Sequence, residues 1–104
     1  MTLVRTSTAV VRPGQLVSFL AFLVEGVRDF PDRHPAMMSD RILIDADGLR
    51  VTYETVWADP EDLVAYAGRD WATAPVTLPG EEGFLARPLE LNHYELYPLN
   101  DHRP

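Results

Sequence analysis

The sequence of 104 residues contains neither cysteine nor lysine. Without cysteine it can form no disulfide, zinc–cysteine site or thiol nucleophile, and nothing in it points to an oxidising compartment. All nine basic residues are arginines, and 16 acidic residues bring the formal net charge to −7. Because a surface of this charge repels phosphate backbones, we expect no nucleic-acid partner.

Long hydrophobic runs are also missing. The longest apolar stretch, residues 16–24, is interrupted by Ser18 and followed by Glu25, so it is too short to span a bilayer. Residues 1–6 lack the basic and apolar segments of a secretory signal. We therefore expect a cytoplasmic protein with no membrane partner. The balance of 46% hydrophobic and 24% charged residues indicates one globular domain over residues 1–104.

The first half of the chain predicts a strand followed by a helix. Residues 2–11 are rich in Val and Thr and end at Arg12-Pro13-Gly14, which is typical of a strand and a turn. Residues 15–30 have a helical apolar repeat, and Pro31 ends the pattern. The apolar face of this helix is unusually wide. It indicates a helix that covers a sheet while it lines a cavity or touches a second subunit, or simply a buried helix.

The second half predicts a hairpin, a helix and a last strand. Asp47-Gly48 separates two extended runs, 36–45 and 49–58, and tolerates the positive φ of a tight turn. Asp59-Pro60 is typical of a helix start, with Asp59 as the cap. Residues 84–97, with a core at 89–96, predict the last strand, and a short polar tail follows at 99–104. This order predicts an α+β, ferredoxin-like βαββαβ fold, in which two helices lie on one face of a four-stranded antiparallel sheet.

Two segments carry a resemblance to a known family. They are AMMSDRILIDADG at 36–48 and YETVWADPEDL at 53–63, where a strand ends in Trp57 before a polar loop and an acidic helix start. Together with the order of elements, they resemble the antibiotic biosynthesis monooxygenase family of the dimeric α/β-barrel superfamily. The resemblance implies a homodimer whose sheets meet face to face, with a pocket in each subunit between sheet and helices.

The family includes cofactor-free oxygenases of aromatic polyketides and haem-degrading enzymes. Haem-degrading members carry an axial His about ten residues after the strand-three Trp and an Asn in the first strand. This sequence has Ala67 at that spacing and no Asn in residues 2–11. Anthrone-oxidising members have an Asn where this sequence has Tyr53. The departures at Ala67 and in residues 2–11 argue against haem chemistry, and the one at Tyr53 argues against the anthrone-oxidising type. Because the sequence also lacks metal-ligand spacings and Gly-rich phosphate loops, we expect that no metal, flavin or haem is needed.

Three aromatic residues are candidates for a pocket. Trp57 and Tyr53 are four residues apart on one strand and share a face. By the resemblance, Trp57 faces the pocket as a catalytic residue that orients the substrate with its indole N–H, and Tyr53 binds substrate beside it. Tyr66, on the second helix, corresponds loosely to a catalytic tyrosine. The alternative is that these aromatic rings only fill the core.

The last strand supplies the polar candidates. His93 has a near-neutral pKa that suits proton transfer, and it is the third catalytic candidate. Arg87 and Asn92 are candidates for substrate binding, since Arg87 can neutralise a phenolate and Asn92 faces the pocket if the strand shifts by one residue. The alternatives are a structural histidine and a solvated surface arginine. His93 and Glu95 share a strand face but have no third ligand at a convincing spacing, so we predict no metal site.

Three functions fit this pattern. The first is a cofactor-independent monooxygenase that acts on an aromatic polyketide-type phenol. The second is a polyketide cyclase or isomerase that uses the same aromatic pocket without oxygen. The third is a non-catalytic, ligand-binding dimer. All three imply a small hydrophobic or aromatic ligand and a homodimer.

Overall fold

The computed structural model describes residues 1–100, so part of the predicted polar tail, at 101–104, lies outside the described residues. The sheet has four strands, β1 (Leu3–Val10), β2 (Met37–Ile44), β3 (Arg50–Trp57) and β4 (Glu90–Glu95). The helices are α1 (Leu16–Val27), α2 (Phe30–Arg33) and α3 (Pro60–Ala67), and a 3-10 turn covers Glu81–Phe84. Within residues 1–100 no helix is both long and apolar enough to cross a membrane.

The strands are ordered β2-β3-β1-β4, and every neighbouring pair is antiparallel. β1 is therefore central, and it pairs with β3 on one side and β4 on the other. Its register with β4 sets Arg5 opposite His93 and Thr6 opposite Asn92. The predicted ferredoxin-like α+β fold is confirmed.

The β2–β3 hairpin forms at the predicted Asp-Gly turn. Gly48 has φ +70°, and its N–H donates to the Asp45 carbonyl, so glycine is needed there to avoid a Cβ clash. Near the start of β2, a bulge between Met37 and Ser39 shifts the register against β3. The bulge moves the side chain of Met38 to the surface.

The first helical segment is shorter than predicted. α1 ends at Val27, and Phe30 begins the separate helix α2, in which Pro31 occupies the first turn. Proline is tolerated there because the first turn has no intrahelical acceptor for its missing N–H. α1 buries Phe19, Leu23 and Val27 against the sheet.

α3 begins as predicted, but it is short. The Asp59 carboxylate accepts a hydrogen bond from the Glu61 N–H at 2.9 Å, with Pro60 in the first turn. The helix ends at Gly68, whose φ of +88° stops it, so Trp71 lies in the following loop. The last strand is likewise shorter than predicted, because Glu81–Phe84 forms the 3-10 turn and β4 starts only at Glu90.

Alternation along β1 and β3 gives the sheet two different faces. One face packs against the helices, and its buried residues include Ala9, Val51 and Trp57. In the part of the chain that the structure describes, no helix covers the opposite face, which includes Val4 and Val56, paired across β1 and β3. The helix-covered face is therefore where an internal cavity can form.

Candidate functional site

A narrow cavity lies between the sheet and the helices. Its volume is about 30 Å³, room for about two water molecules. α1, α2 and the 76–78 loop contribute apolar walls, whereas the sheet, α3 and the 3-10 turn contribute polar groups. The polar lining residues are Arg5, Ser7, Tyr53, Thr55, Tyr66 and Glu81.

Arg5 is the buried cation of this cavity and was not among the sequence candidates. β1 turns its odd-numbered residues toward the helices, so Arg5 takes a core position and is only 3% exposed. Its Nη1 donates to the Trp71 carbonyl at 2.6 Å, and its Nη2 donates to the Ala74 carbonyl at 3.2 Å. Burial lowers the pKa of Arg5, because desolvation disfavours its charged form.

His93 stands beside Arg5, on the helix-covered face of β4. Its Nε2 lies 3.0 Å from Arg5 Nη1, and since arginine can only donate, Nε2 must accept and Nδ1 carries the proton. The ring packs edge-on against Trp71, with centroids 4.9 Å apart. Burial, and secondarily the Arg5 charge, lower the pKa of His93. His93 lies outside the cavity wall, so its proposed proton transfer stays a prediction.

Asn92, the neighbour of His93, is on the other side of the sheet. It is exposed and pairs with Thr6 across β1 and β4. Because alternate residues of a strand face opposite sides, His93 and Asn92 cannot line the same pocket. The structure thus separates these two candidates, and it gives no support to substrate binding by Asn92.

Tyr53 lines the cavity, but its hydroxyl is already engaged. The O–H donates to Asp40 Oδ2 on β2 at 2.9 Å. Burial, followed by this hydrogen bond and the Asp40 charge, raises the pKa of Tyr53 well above its ordinary value. Tyr53 therefore offers a ligand its ring face more readily than a proton.

Trp57 is fully buried at 0% exposure, and it is not part of the cavity wall. Its indole Nε1–H donates to the hydroxyl of Thr55, two residues back on the same strand face, at 2.8 Å. The donor predicted to reach a substrate is thus used inside the protein. This geometry matches the core-filling alternative, and a role in orienting a substrate is left without a free N–H.

Tyr66 reaches the cavity from α3. Its ring lies against Trp57 and His34, with centroids 4.9 Å away in each case. Among the described residues the Tyr66 hydroxyl has no hydrogen-bond partner. Since no fully buried side-chain oxygen there lacks one, this hydroxyl must be accessible. Burial raises the pKa of Tyr66 to about 12. The residue is therefore a neutral hydroxyl donor at physiological pH.

Glu81 is the second polar group that the sequence did not reveal. It is 5% exposed in the 3-10 turn, and burial raises the pKa of its carboxyl group. Its Oε1 accepts from the Leu78 N–H at 3.0 Å. A buried carboxylate of raised pKa is a suitable general base. Since Glu81 lies in an irregular Pro- and Gly-containing loop, no periodic signal in the sequence marked it.

Arg87 lies outside the cavity. Its side chain is half exposed and pairs with Glu90 at 3.2 Å, next to a surface groove along the loop that precedes β4. An exposed pair of this kind contributes little stability. Arg87 does not line the cavity in this arrangement, so its contact with a phenolate stays a prediction.

The loop at 75–80 covers the mouth of the cavity. Leu78 packs directly on Gly26 of α1, where an added Cβ would overlap it. Outside Val76 and Leu78 runs a surface groove that shares these residues with the cavity wall. A ring-sized ligand needs more space than the present cavity offers, so its entry requires the displacement of Leu78.

The described residues contain no cluster of metal-ligating side chains. Within residues 1–100, no group of three His, Cys, Asp or Glu side chains is arranged to hold a metal ion.

Comparison with known proteins identifies the fold. No protein-family model matches the chain, and no curated protein matches it significantly. Solved structures do match. A candidate antibiotic biosynthesis monooxygenase from Nitrosomonas europaea is 20% identical, with a TM-score of 0.71 over 95% of this chain and 94% of that one.

Two further structures agree with this match. A candidate antibiotic biosynthesis monooxygenase from Caulobacter crescentus is 12% identical, with a TM-score of 0.72 over 92% of this chain and 90% of that one. A conserved protein from Methanosarcina mazei is 14% identical, with a TM-score of 0.72 over 90% and 91%. The predicted resemblance is confirmed for the fold. At these identities the likeness carries the fold alone, and function must be argued from the cavity.

Proposed function

We propose that this protein is a cofactor-independent monooxygenase that acts on an aromatic polyketide-type phenol. The observation that carries the proposal is the cavity, in which the accessible hydroxyl of Tyr66 and the buried carboxylate of Glu81 border apolar walls. The shared fold with candidate antibiotic biosynthesis monooxygenases supports it.

The chemistry assigned to these groups is oxidation of a ring methylene beside a phenol. Glu81 takes a proton from the substrate, and Tyr66 donates a hydrogen bond to the oxygen on which negative charge develops. The electron-rich carbanion then reduces dioxygen. The balance is R₂CH₂ + O₂ → R₂C=O + H₂O: the methylene loses four electrons, and dioxygen accepts them without another reductant.

The apolar walls provide what the reaction needs from its surroundings. They exclude water, which strengthens the interactions of Glu81 and Tyr66 with the substrate and protects the carbanion from protonation by solvent.

The same proposal includes a homodimer, supported by the open face of the sheet. That face exposes Met38 (60%), Tyr94 (54%) and Leu96 (47%), which border one groove together with Val4 and Val56. The groove also carries Thr6, Ser39, Glu95 and the Arg41–Glu54 ion pair, so its lining is mixed. Large apolar side chains exposed together on an uncovered sheet face are typical of an interface. We expect the faces of two protomers to meet there.

Oxygen uptake by the purified protein with a hydroxylated anthrone tests the activity. We expect uptake of one O₂ per product, with ¹⁸O from ¹⁸O₂ in the new carbonyl. Glu81→Gln should reduce turnover by at least about 100-fold, because it removes the base while an oxygen remains to accept from Leu78 N–H. Glu82→Gln, a change at the exposed neighbour, is the matched control.

Two outcomes count against the oxygenase. Turnover of a polyketide under nitrogen would point to the cyclase or isomerase instead. Unchanged oxygen uptake by folded Glu81→Gln would remove Glu81 from the mechanism.

A further inference from the structure

The guanidinium of Arg5 has no carboxylate partner although it is almost wholly buried. Among residues 1–100, no acidic oxygen lies within 4.0 Å of it, since none of the ion pairs there includes Arg5. All its protein contacts are to neutral acceptors, two backbone carbonyls and His93. Burying a charge without an opposite charge is costly, so this arrangement calls for an explanation.

Part of the guanidinium also lacks hydrogen-bond partners. It has five N–H donors, and the three contacts use only Nη1 and Nη2, which leaves Nε and one N–H of Nη2 free of partners among the described residues. Since no fully buried side-chain nitrogen lacks a partner there, Nε must be accessible. The cavity is the space that Arg5 borders.

His93 and the two carbonyls fix this donor edge in place. They occupy both N–H groups of Nη1 and one N–H of Nη2, so Arg5 cannot turn away from the cavity without breaking three contacts. His93 can hold Arg5 in place only while its ring is neutral, because a protonated ring has no acceptor for the Arg5 N–H. His93 is therefore a positioning residue for Arg5 in this arrangement.

Glu81, the acidic residue that lines the cavity, does not neutralise Arg5. Glu81 directs Oε1 to the Leu78 N–H, and its raised pKa reflects a site that disfavours its negative charge. Among residues 1–100, the charge that would compensate Arg5 is thus missing, and an anionic ligand can supply it.

We propose that Arg5 is an oxyanion-recognition residue, and that the ligand of this cavity carries a negatively charged oxygen that docks on its Nε edge. This inference rests on the proposed function only in placing the ligand in the same cavity. The oxyanion has two sources, a carboxylate substituent or the phenolate oxygen of the ring itself. Both present the same chemistry to a guanidinium.

Three small aromatic probes test the proposal under nitrogen, where no oxygenation can occur. They are 4-nitrophenol, whose ionisation is visible by its colour, 4-nitrobenzoate, and the neutral 4-nitroanisole. We expect at least one of the two anions to bind about tenfold tighter than 4-nitroanisole, as befits one charge-assisted hydrogen bond. If phenolate is the source, the pKa of bound 4-nitrophenol falls by about one unit below that of the free probe.

Variants of Arg5 distinguish recognition of an anion from a purely structural role in holding the 71–74 loop. Arg5→Met should abolish the preference for anions, and Arg5→Lys should retain part of it, since lysine keeps the charge but not the planar fork. Arg28→Met is the matched control, because Arg28 is exposed, pairs with Glu25, and loses the same charge. If Arg5→Met does not fold, the wild-type comparison of probes and Arg5→Lys still decide.

Two results would overturn the proposal. The first is equal affinity of the wild-type protein for both anions and for 4-nitroanisole. The second is an unchanged preference for anions in folded Arg5→Met, which would mean that Arg5 only holds the 71–74 loop in place. Anion preference without oxygen uptake on anthrones would keep this inference and reject the proposed oxygenase.

Discussion

The hydrogen bond between Trp57 and Thr55 gives a prediction that the structure makes quantitative. Both side chains are buried, at 0% and 2% exposure, and Trp57 Nε1–H donates to Thr55 Oγ1 at 2.8 Å. Trp57→Phe removes the donor and leaves a small void behind the phenyl ring. The stranded hydroxyl costs about 1–3 kcal/mol, and the lost burial adds about 1 kcal/mol. We expect the free energy of unfolding to fall by about 2–4 kcal/mol.

The partner variant, Thr55→Val, keeps the shape of the side chain and removes the acceptor. It strands the indole N–H, so we expect a loss of about 1–3 kcal/mol. In the double variant neither polar group is left unpaired. Its loss should therefore be smaller than the sum of the two single losses by about 1–2 kcal/mol.

Urea denaturation of the four proteins, followed by far-UV circular dichroism, measures this cycle. Because the protein is proposed to be a dimer, all four are compared at one protein concentration. Losses that add within about 0.5 kcal/mol would mean that the two groups do not interact, and the reasoning would fail. If Trp57→Phe instead leaves stability unchanged but abolishes turnover, the indole N–H serves a substrate after all.

Three further predictions concern pH, assembly and access. Burial raises the pKa of Tyr66 from 10.0 to about 12, so the stability contributed by the neutral hydroxyl is full below pH 10. It is lost as the pH rises toward 12, by at most about 1.4 kcal/mol per pH unit. In alkaline denaturation, Tyr66→Phe should therefore lose stability less steeply than the wild type, and identical curves would contradict the burial argument. Val56→Glu places a charge on the open face of the sheet and should yield an 11.7 kDa monomer in sedimentation. Val17→Glu, on the exposed side of α1, is the control and should leave the dimer intact. If Val56→Glu remains a dimer, the interface does not lie on the open face. Gly26→Ala places a methyl group against Leu78, which should displace Leu78 and speed the binding of 4-nitrophenol in stopped-flow mixing. Because alanine favours the helix, the free energy of unfolding should change by no more than about 1 kcal/mol. An unchanged binding rate would show that Leu78 does not control entry.

Local signals determined most of the fold. The Asp47-Gly48 turn and the Asp59-Pro60 helix start act over a few residues, and the structure has both where they were predicted. Alternation in β3 likewise set Tyr53 and Trp57 on one face, because the strand repeat of two residues is a property of the backbone itself. The ends of elements were less accurate. The sequence extended α1 to Phe30, whereas α1 ends at Val27 and Phe30 begins a separate helix.

The site depended on contacts that no local signal encodes. Arg5 and His93 are 88 residues apart, and only the β1–β4 register brings them together. Glu81 reaches the cavity on an irregular loop, where side-chain direction follows from tertiary packing and not from a repeat. The sequence alone thus determined which residues share a strand face or begin a helix, since neighbouring backbone geometry decides that. Only the tertiary structure decided which polar groups meet in the cavity, because strand register and loop path are set by the packing of the whole chain.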